Sequence, residues 1–249
     1  MNKTTNNFTP EMFGNRKIAL VALTGSHNYN LDGPESDEDY KVFVIPTFED
    51  LYNNTMFSTQ IQSGKMDFAC HDIRQLGRLI WKSNLNFLEV LMSVQFETDF
   101  TFIKTLRSLA DEFAKINLRV FGKATYGMHM QKMKTLHKGT EKTQTLVDKF
   151  GYDTKDALHS LRCLIVLDRV SRGIALSNAI WFENDSRARN LLLSVKRGEV
   201  LESRFHEIID EWHTLNLTRV NKFFNTQEPN EKLNHDLNVA MKEFVQGQI

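Results

Sequence analysis

Asp37 and Asp39 stand two apart at the head of a β-favouring run, and a Gly25-Ser26 dipeptide ends the run before it. In a strand, residues two apart share a face, so these carboxylates project together with Cα atoms roughly 6–7 Å apart. Like charges aimed at one spot repel unless a cation lies between them. Oxygen-only donors suit a hard ion such as Mg2+, which completes its shell with water and phosphate oxygens. The Gly-Ser turn is the complementary half, because exposed N–H groups at a helix start, with a small hydroxyl, make a seat for a phosphate. Singly, each half is commonplace: most Gly-Ser pairs are turns and most Asp-x-Asp segments are solvated loops. Together they describe phosphoryl chemistry.

The flanking elements must hold the two halves in place. Residues 17–24 are rich in Ile, Val, Leu and Ala, the pattern of a buried strand. Gly25 and Ser26 open a tight turn and a short helical turn, a polar loop follows, and Ser36-Asp37-Glu38-Asp39 opens a second strand that Pro46 stops. Residues 48–64 are polar and read as a loop, with Asn53-Asn54 as a turn. Residues 66–72 read as a third strand, with Asp67, Ala69 and His71 on one face and Phe68 and Cys70 on the other. A third carboxylate on a neighbouring strand would help hold a metal and draw the proton from an attacking hydroxyl. Asp67 is one candidate; Asp72 is the other, although its place just before a helix also suits an N-cap.

Helical periodicity dominates the remainder. Residues 73–83 and 85–94 form two helices, with Leu85, Leu88, Leu91 and Met92 as core and Glu89 as an exposed glutamate or, alternatively, a support behind the site. From residue 102 onward the chain is helical, which divides it into residues 1–112 and 113–249, after a frayed lead-in over residues 1–15. A helix over 102–116 carries Leu106, Leu109 and Phe113 on one stripe. The helix over 118–138 is basic, with Arg119, Lys123, Lys132, Lys134 and Lys138, and Tyr126 and His129 among them. It is either a solvated face or a guide for a polyanionic acceptor. Over 151–173, Asp153 suits an N-cap and Gly173 a stop. Lys155, His159 and Arg162 fall within an arc of ~60° there. They lie beside the apolar stripe of Leu158, Leu161, Leu164, Ile165 and Leu167, as a snorkelling basic edge or as cations aimed into a cleft. Further helices cover 186–196, 199–224 and 230–246, with Phe205, Ile208, Ile209 and Trp212 as core; His206 and His213 lack a carboxylate pair at ligand spacing and read as surface or core histidines.

Composition removes several classes. With 31 Lys+Arg against 31 Asp+Glu in 249 residues, the chain does not coat nucleic acid by bulk charge. Cys70 and Cys163 have no metal-type spacing and read as reduced, buried thiols. No apolar signal core and no stretch of ~20 apolar residues occurs, so the expectation is a soluble cytoplasmic protein without a membrane partner. No repeat, Walker-type loop or zinc signature is present.

The order G-S-x-x-Y-x-L-x-x-P-x-S-D-x-D, from Gly25 to Asp39, resembles the signature of the DNA polymerase β-type nucleotidyltransferase superfamily, in particular its stand-alone branch linked to RNA repair. Asn30 stands where that branch commonly has Gly, and Asn tolerates left-handed backbone angles. The likeness continues through Asn84 and Glu89 (with Leu85 in place of a proline), Phe121-Gly122-Lys123-Ala124, Y-D-x-K-x-x-x-H-x-x-R from Tyr152 to Arg162, and LLLSVKRGEV over 191–200. It implies an α+β fold: a small mixed β-sheet nucleotidyltransferase domain flanked by helices, followed by an all-helical C-terminal domain. It also implies transfer of a nucleoside monophosphate from an NTP to an acceptor hydroxyl, with release of pyrophosphate. Asp37, Asp39 and Asp67 match the catalytic, metal-binding acids, holding two Mg2+ ions, with Mn2+ as a substitute; Gly25, Ser26, Lys155, His159 and Arg162 match the nucleotide-binding residues. An RNA or DNA end is the favoured acceptor. A small molecule, a protein side chain, or a non-catalytic nucleotide-binding module are the alternatives; degenerate members lose the second aspartate, and here both stand. Neither a base-selecting residue nor an oligomeric state is legible.

Overall fold

The computed structural model describes residues 10–34 and 36–249. β1 (Ile18–Thr24) leads into a 3-10 turn, Gly25–Tyr29, and then β2 (Glu38–Val44). Next come α1 (Phe48–Tyr52), β3 (Ser58–Ser63), β4 (Met66–Asp72), α2 (Arg74–Trp81), α3 (Leu85–Leu91), β5 (Phe96–Glu97), α4 (Thr101–Ser108) and α5 (Ala110–Ala114). The helices α6 (Leu118–Thr135), α7 (Gln144–Phe150), α8 (Thr154–Ser171), α9 (Leu176–Ile180), α10 (Arg187–Lys196), α11 (Glu202–Asn225) and α12 (Glu231–Gln246) complete the chain. None of the helices among the described residues is long and apolar enough to cross a membrane.

The chain forms two compact units. The first comprises the described residues up to Ile116 together with Asn230–Ile249, and the second Asn117–Pro229. The division therefore falls after 116 rather than 112, and the last helix belongs with the sheet instead of the helical unit. Amphipathic spacing tells that α12 buries a face but not against what. The Asn230 N–H donates to the Ile116 carbonyl (2.8 Å), bringing the chain back. α12 then packs on α2 at Gly77, where an added Cβ would sit 3.6 Å from Met241. Phe244 stacks on Phe102, with ring centroids 4.8 Å apart.

The five strands form a mixed sheet in the order β3-β4-β2-β1-β5, with β2 parallel to β4 and every other pair antiparallel. One face buries Val21, Leu23, Tyr40, Val42, Val44, Phe68 and Cys70 around Phe13. Burial pushes the Cys70 thiol up to about 12, and both Cys70 and Cys163 are free and buried. The expected frayed lead-in lies mostly outside the described residues, but Phe13 at its end is core. The stretch expected as loop, 48–64, contains α1 and β3. β3 is an edge strand of alternating half-buried and exposed residues, STQIQS, whose polarity hides its strand character. α1 starts on a capping box between Thr47 and Asp50. Arg16 anchors that box by donating from Nε and Nη2 to the Asp50 carboxylate at 2.8 and 2.7 Å. The single helix expected over 102–116 breaks at Leu109, which is left exposed.

In the second unit α8 is the central helix, packed by α6, α10 and α11. Asp153 caps it, accepting from the N–H groups of Lys155 and Asp156, and Gly173 ends it at φ +84°. Gly122 on α6 lies against Phe224 of α11, where any Cβ would collide with the ring. Phe205 and Ile209 are core as expected, whereas Ile208 and Trp212 are half-buried.

Candidate active site

The Gly-Ser seat is built by backbone conformation. Gly25 adopts φ +69°, a left-handed angle that follows directly from β1. The short turn it opens closes at Asn30, φ +61°, so the Asn that replaces the branch's usual Gly takes the left-handed position. The Ser26 carbonyl accepts the Leu31 N–H at 2.9 Å, which fixes the end of the turn.

The turn lies against one of the acids, Asp39. A Cβ added to Gly25 would run into the Asp39 carboxylate, so only glycine admits that carboxylate here. Thr24 is the register partner of Asp39 across β1 and β2, and its hydroxyl donates to the Asp39 carbonyl at 3.1 Å. On the other side of β2, Asp39 is the register partner of Asp67 on parallel β4. Register partners share a face, so both side chains leave the sheet on the same side, with strands about 4.8 Å apart. Asp37 is exposed and lies just before β2 rather than on it. Its loop is held by a turn in which the Gly33 N–H donates to Ser36 Oγ and the Ser36 N–H to the Gly33 carbonyl, both at 2.9 Å.

Asp72 is different. Its register partner Val44 belongs to the core face, opposite Asp67. It is fully buried and accepts from the Arg74 backbone N–H (2.9 Å), Nε (2.9 Å) and Nη2 (2.6 Å). Its carboxylate is committed to starting α2, whereas Asp67 lies on the face that Asp39 occupies.

Among the described residues, no three His, Cys, Asp or Glu side chains converge tightly enough to hold a metal ion. What the register does enforce is Asp39 beside Asp67, with Asp37 one step away on the preceding loop. That donor set is all carboxylate, at the exposed tip of the sheet, and Gly25 leaves it room. Its chemistry fits a hard divalent cation.

Three further side chains lie near these acids: Lys41 and His71, which the sequence does not single out for a role, and Glu89, which it offers as an exposed glutamate or a support behind the site. Behind the Thr24–Asp39–Asp67 row lies the row Ala22–Lys41–Ala69, and behind that Leu20–Phe43–His71. Two alanines leave the Lys41 side chain free to cross the sheet, and its ammonium sits 4.0 Å from Glu89 Oε1 and 5.5 Å from the Phe87 ring centre. Glu89, expected mainly at the surface, is 2% exposed. It also accepts a hydrogen bond from the Tyr29 hydroxyl, the Tyr of the Gly-Ser motif. Burial, and then the nearby Lys41 charge, lowers the His71 pKa.

The remaining sequence candidates lie in the second unit. Lys155 is exposed, His159 half-buried and Arg162 buried, all on α8. They do gather: burial first, then the positive charges of Arg162, Lys132, Lys196 and Lys155, push His159 down to about 3. Lys132 of α6 pairs with Asp156 at 2.6 Å, and Arg119 with Glu228 at 2.9 Å, so part of the basic helix is neutralised. His129 is not on its solvated face; it is buried, with Nδ1 2.8 Å from Ser160 Oγ. His213 stacks edge-on to it, with ring centroids 5.4 Å apart, and His206 lies near Glu202 instead, so the two α11 histidines serve separate contacts.

A mixed sheet with in-register acids at its tip and a Gly-Ser turn against them has the architecture of a nucleotidyltransferase-type α+β domain. The sequence matches the family model described as RlaP, RNA repair pathway DNA polymerase beta family, over residues 4–238, and the chain belongs to that family. By family it is a polymerase β-like nucleotidyltransferase. A solved nucleotidyltransferase-like protein from Exiguobacterium sibiricum 255-15 is similar at 10% identity, covering 99% of this chain and 74% of that one with a TM-score of 0.34. No curated protein matches.

Proposed function

We propose that the protein transfers a nucleoside monophosphate from an NTP to a terminal hydroxyl of an RNA or DNA, with RNA favoured by its family, and releases pyrophosphate. The observation that carries this is Asp39, held in register with Asp67 on one side and against Gly25 on the other. The Gly25–Ser26 turn binds the β and γ phosphates through its N–H groups and the Ser26 hydroxyl. Asp39 and Asp67, with Asp37 on the adjoining loop, would hold Mg2+, which when bound would offset the triphosphate charge and make the acceptor oxygen a better nucleophile. The acceptor oxygen forms its bond to the α phosphorus as the bond from that phosphorus to the β-bridging oxygen breaks. Asp67 takes the hydroxyl proton, and the pair of electrons leaves on pyrophosphate. Lys155 and Arg162 are assigned to a phosphate of the substrates, with His159 beside them as a neutral imidazole able to hydrogen-bond rather than to add charge.

The test is direct. The full chain is incubated with labelled NTPs and Mg2+, offered RNA, a DNA primer or a protein lysate, and each fraction is counted for label. Label on RNA ends, absent with EDTA, supports the proposal. Label on protein or small molecules alone would replace the acceptor, and no label on any fraction would refute the activity. Acceptor binding should also weaken as salt rises, as release of counterions from a polynucleotide requires.

A further inference from the structure

Three elements of the first unit meet at one buried carboxylate. Glu89 on α3 receives the Tyr29 hydroxyl from the 3-10 turn and faces the Lys41 ammonium from β2 at 4.0 Å. The neighbouring Asn28 adds to the same junction, its amide donating to the Glu89 carbonyl at 3.5 Å and its oxygen accepting the Val94 N–H at 2.9 Å. Each partner of Glu89 is close in sequence to a residue of the proposed site: Ser26 precedes Tyr29 in the same turn, and Asp39 precedes Lys41 on the same face of β2. A glutamate that is 2% exposed costs desolvation, and a buried ion pair is often no more stable than well-packed apolar residues. Stability alone is therefore a poor reason for a charge here. Geometry is a better one.

We infer that Glu89 is a positioning residue for nucleotidyl transfer, fixing the phosphate seat at Gly25–Ser26 relative to Asp39 on β2. This rests on the activity proposed above. Neither Glu89 nor Tyr29 touches the substrate; they act through the turn and the strand they hold. Loosening the junction lets the seat drift from Asp39, which weakens triphosphate binding while the acids themselves remain.

The experiment uses the full chain and the variants Tyr29→Phe, Glu89→Gln, Glu89→Ala and Tyr29→Phe/Glu89→Ala. Affinity is measured for the Mg2+ complex of an NTP analogue with a methylene bridge between the α and β phosphates. KM and kcat with RNA are measured alongside, together with Tm. A seat displaced by a fraction of an ångström should weaken analogue binding and raise the NTP KM by about tenfold in Tyr29→Phe and Glu89→Ala, with kcat less affected. Glu89→Gln, which still accepts from Tyr29, should recover most of the loss. The double variant should be no worse than the poorer single one, because both cut one network. Variants that lose Tm but bind the analogue as wild type does would overturn the inference, as would fully additive losses. A wild-type protein that neither binds the analogue nor transfers label refutes the activity itself, a different outcome.

Discussion

Replacing Gly25 by alanine probes the contact on which the site depends. Two costs follow from the structure. Alanine at φ +69° takes up a left-handed conformation, worth about 1–2 kcal/mol against it. Its methyl would also overlap the Asp39 carboxylate, so either the turn or the side chain must move. The fold should absorb this with a stability loss of roughly 1–3 kcal/mol, since the strain is local and at the exposed sheet tip. Activity should suffer more, because a displacement near 1 Å of a group that aligns reacting atoms costs about 10²-fold in rate. Urea unfolding followed by circular dichroism gives the first quantity, and single-turnover transfer of labelled NMP gives the second. Gly33→Ala is the matched control: it lies between the same two strands, past the turn that Gly25 opens, has no positive φ, and an added Cβ meets nothing within 4 Å. If Gly25→Ala transfers label as fast as Gly33→Ala, the seat and the acids do not work together and the site is misplaced.

Other perturbations separate neighbouring roles. Asp67→Asn should lower the transfer rate by roughly 10³-fold with little loss of stability, as removal of a charge-stabilising group does. Asp72→Asn should do the reverse, costing about 2 kcal/mol by weakening the Arg74 pair while leaving kcat near wild type; equal loss of activity in both would contradict the assignment. His129 is pushed down to about 4, chiefly by burial and then by His213, against an ordinary 6.5. The unfolded chain therefore binds the extra proton first, and stability should fall as pH drops from about 6.5 towards 4, by no more than about 3 kcal/mol. Urea titrations at several pH values should show this slope and its flattening in His129→Gln. Asp50 is held well below the usual carboxylate range, first by its hydrogen bond with Arg16, so its stabilisation is complete above about pH 4 and is lost as pH falls through the folded value. Asp50→Asn should cost about 2 kcal/mol at neutral pH and make the acid limb of the stability curve shallower.

The elements that frame the site were legible where burial imposes a pattern. β1, β2 and β4 announce themselves by apolar runs, and α8 by its cap at Asp153 and its stop at Gly173. β3 was not legible, because an edge strand needs only one buried side and STQIQS supplies it with Thr59 and Ile61. The return of α12 to α2 was hidden for another reason: periodicity encodes that a face is covered, and the partner is chosen by tertiary packing. The acids and the Gly-Ser turn could be proposed because their residue types and spacing suit phosphoryl chemistry, and the fold brings Asp39 against Gly25 and beside Asp67. Glu89 was legible only as one of two alternatives, exposed or behind the site, since its partners Tyr29 and Lys41 stand far away in the chain and only the fold brings them together. A clue was present in Ala22 and Ala69, the small residues that flank Lys41, but their adjacency depends on pairing that the sequence does not state.

The most direct measurement is Mn2+ binding, by electron paramagnetic resonance, to the full chain in the presence of the methylene-bridged NTP analogue. Wild type should take up the ion, and Asp39→Asn and Asp67→Asn should each weaken that uptake by about tenfold or more. Uptake in both variants equal to that of wild type would show that the paired carboxylates do not hold the metal.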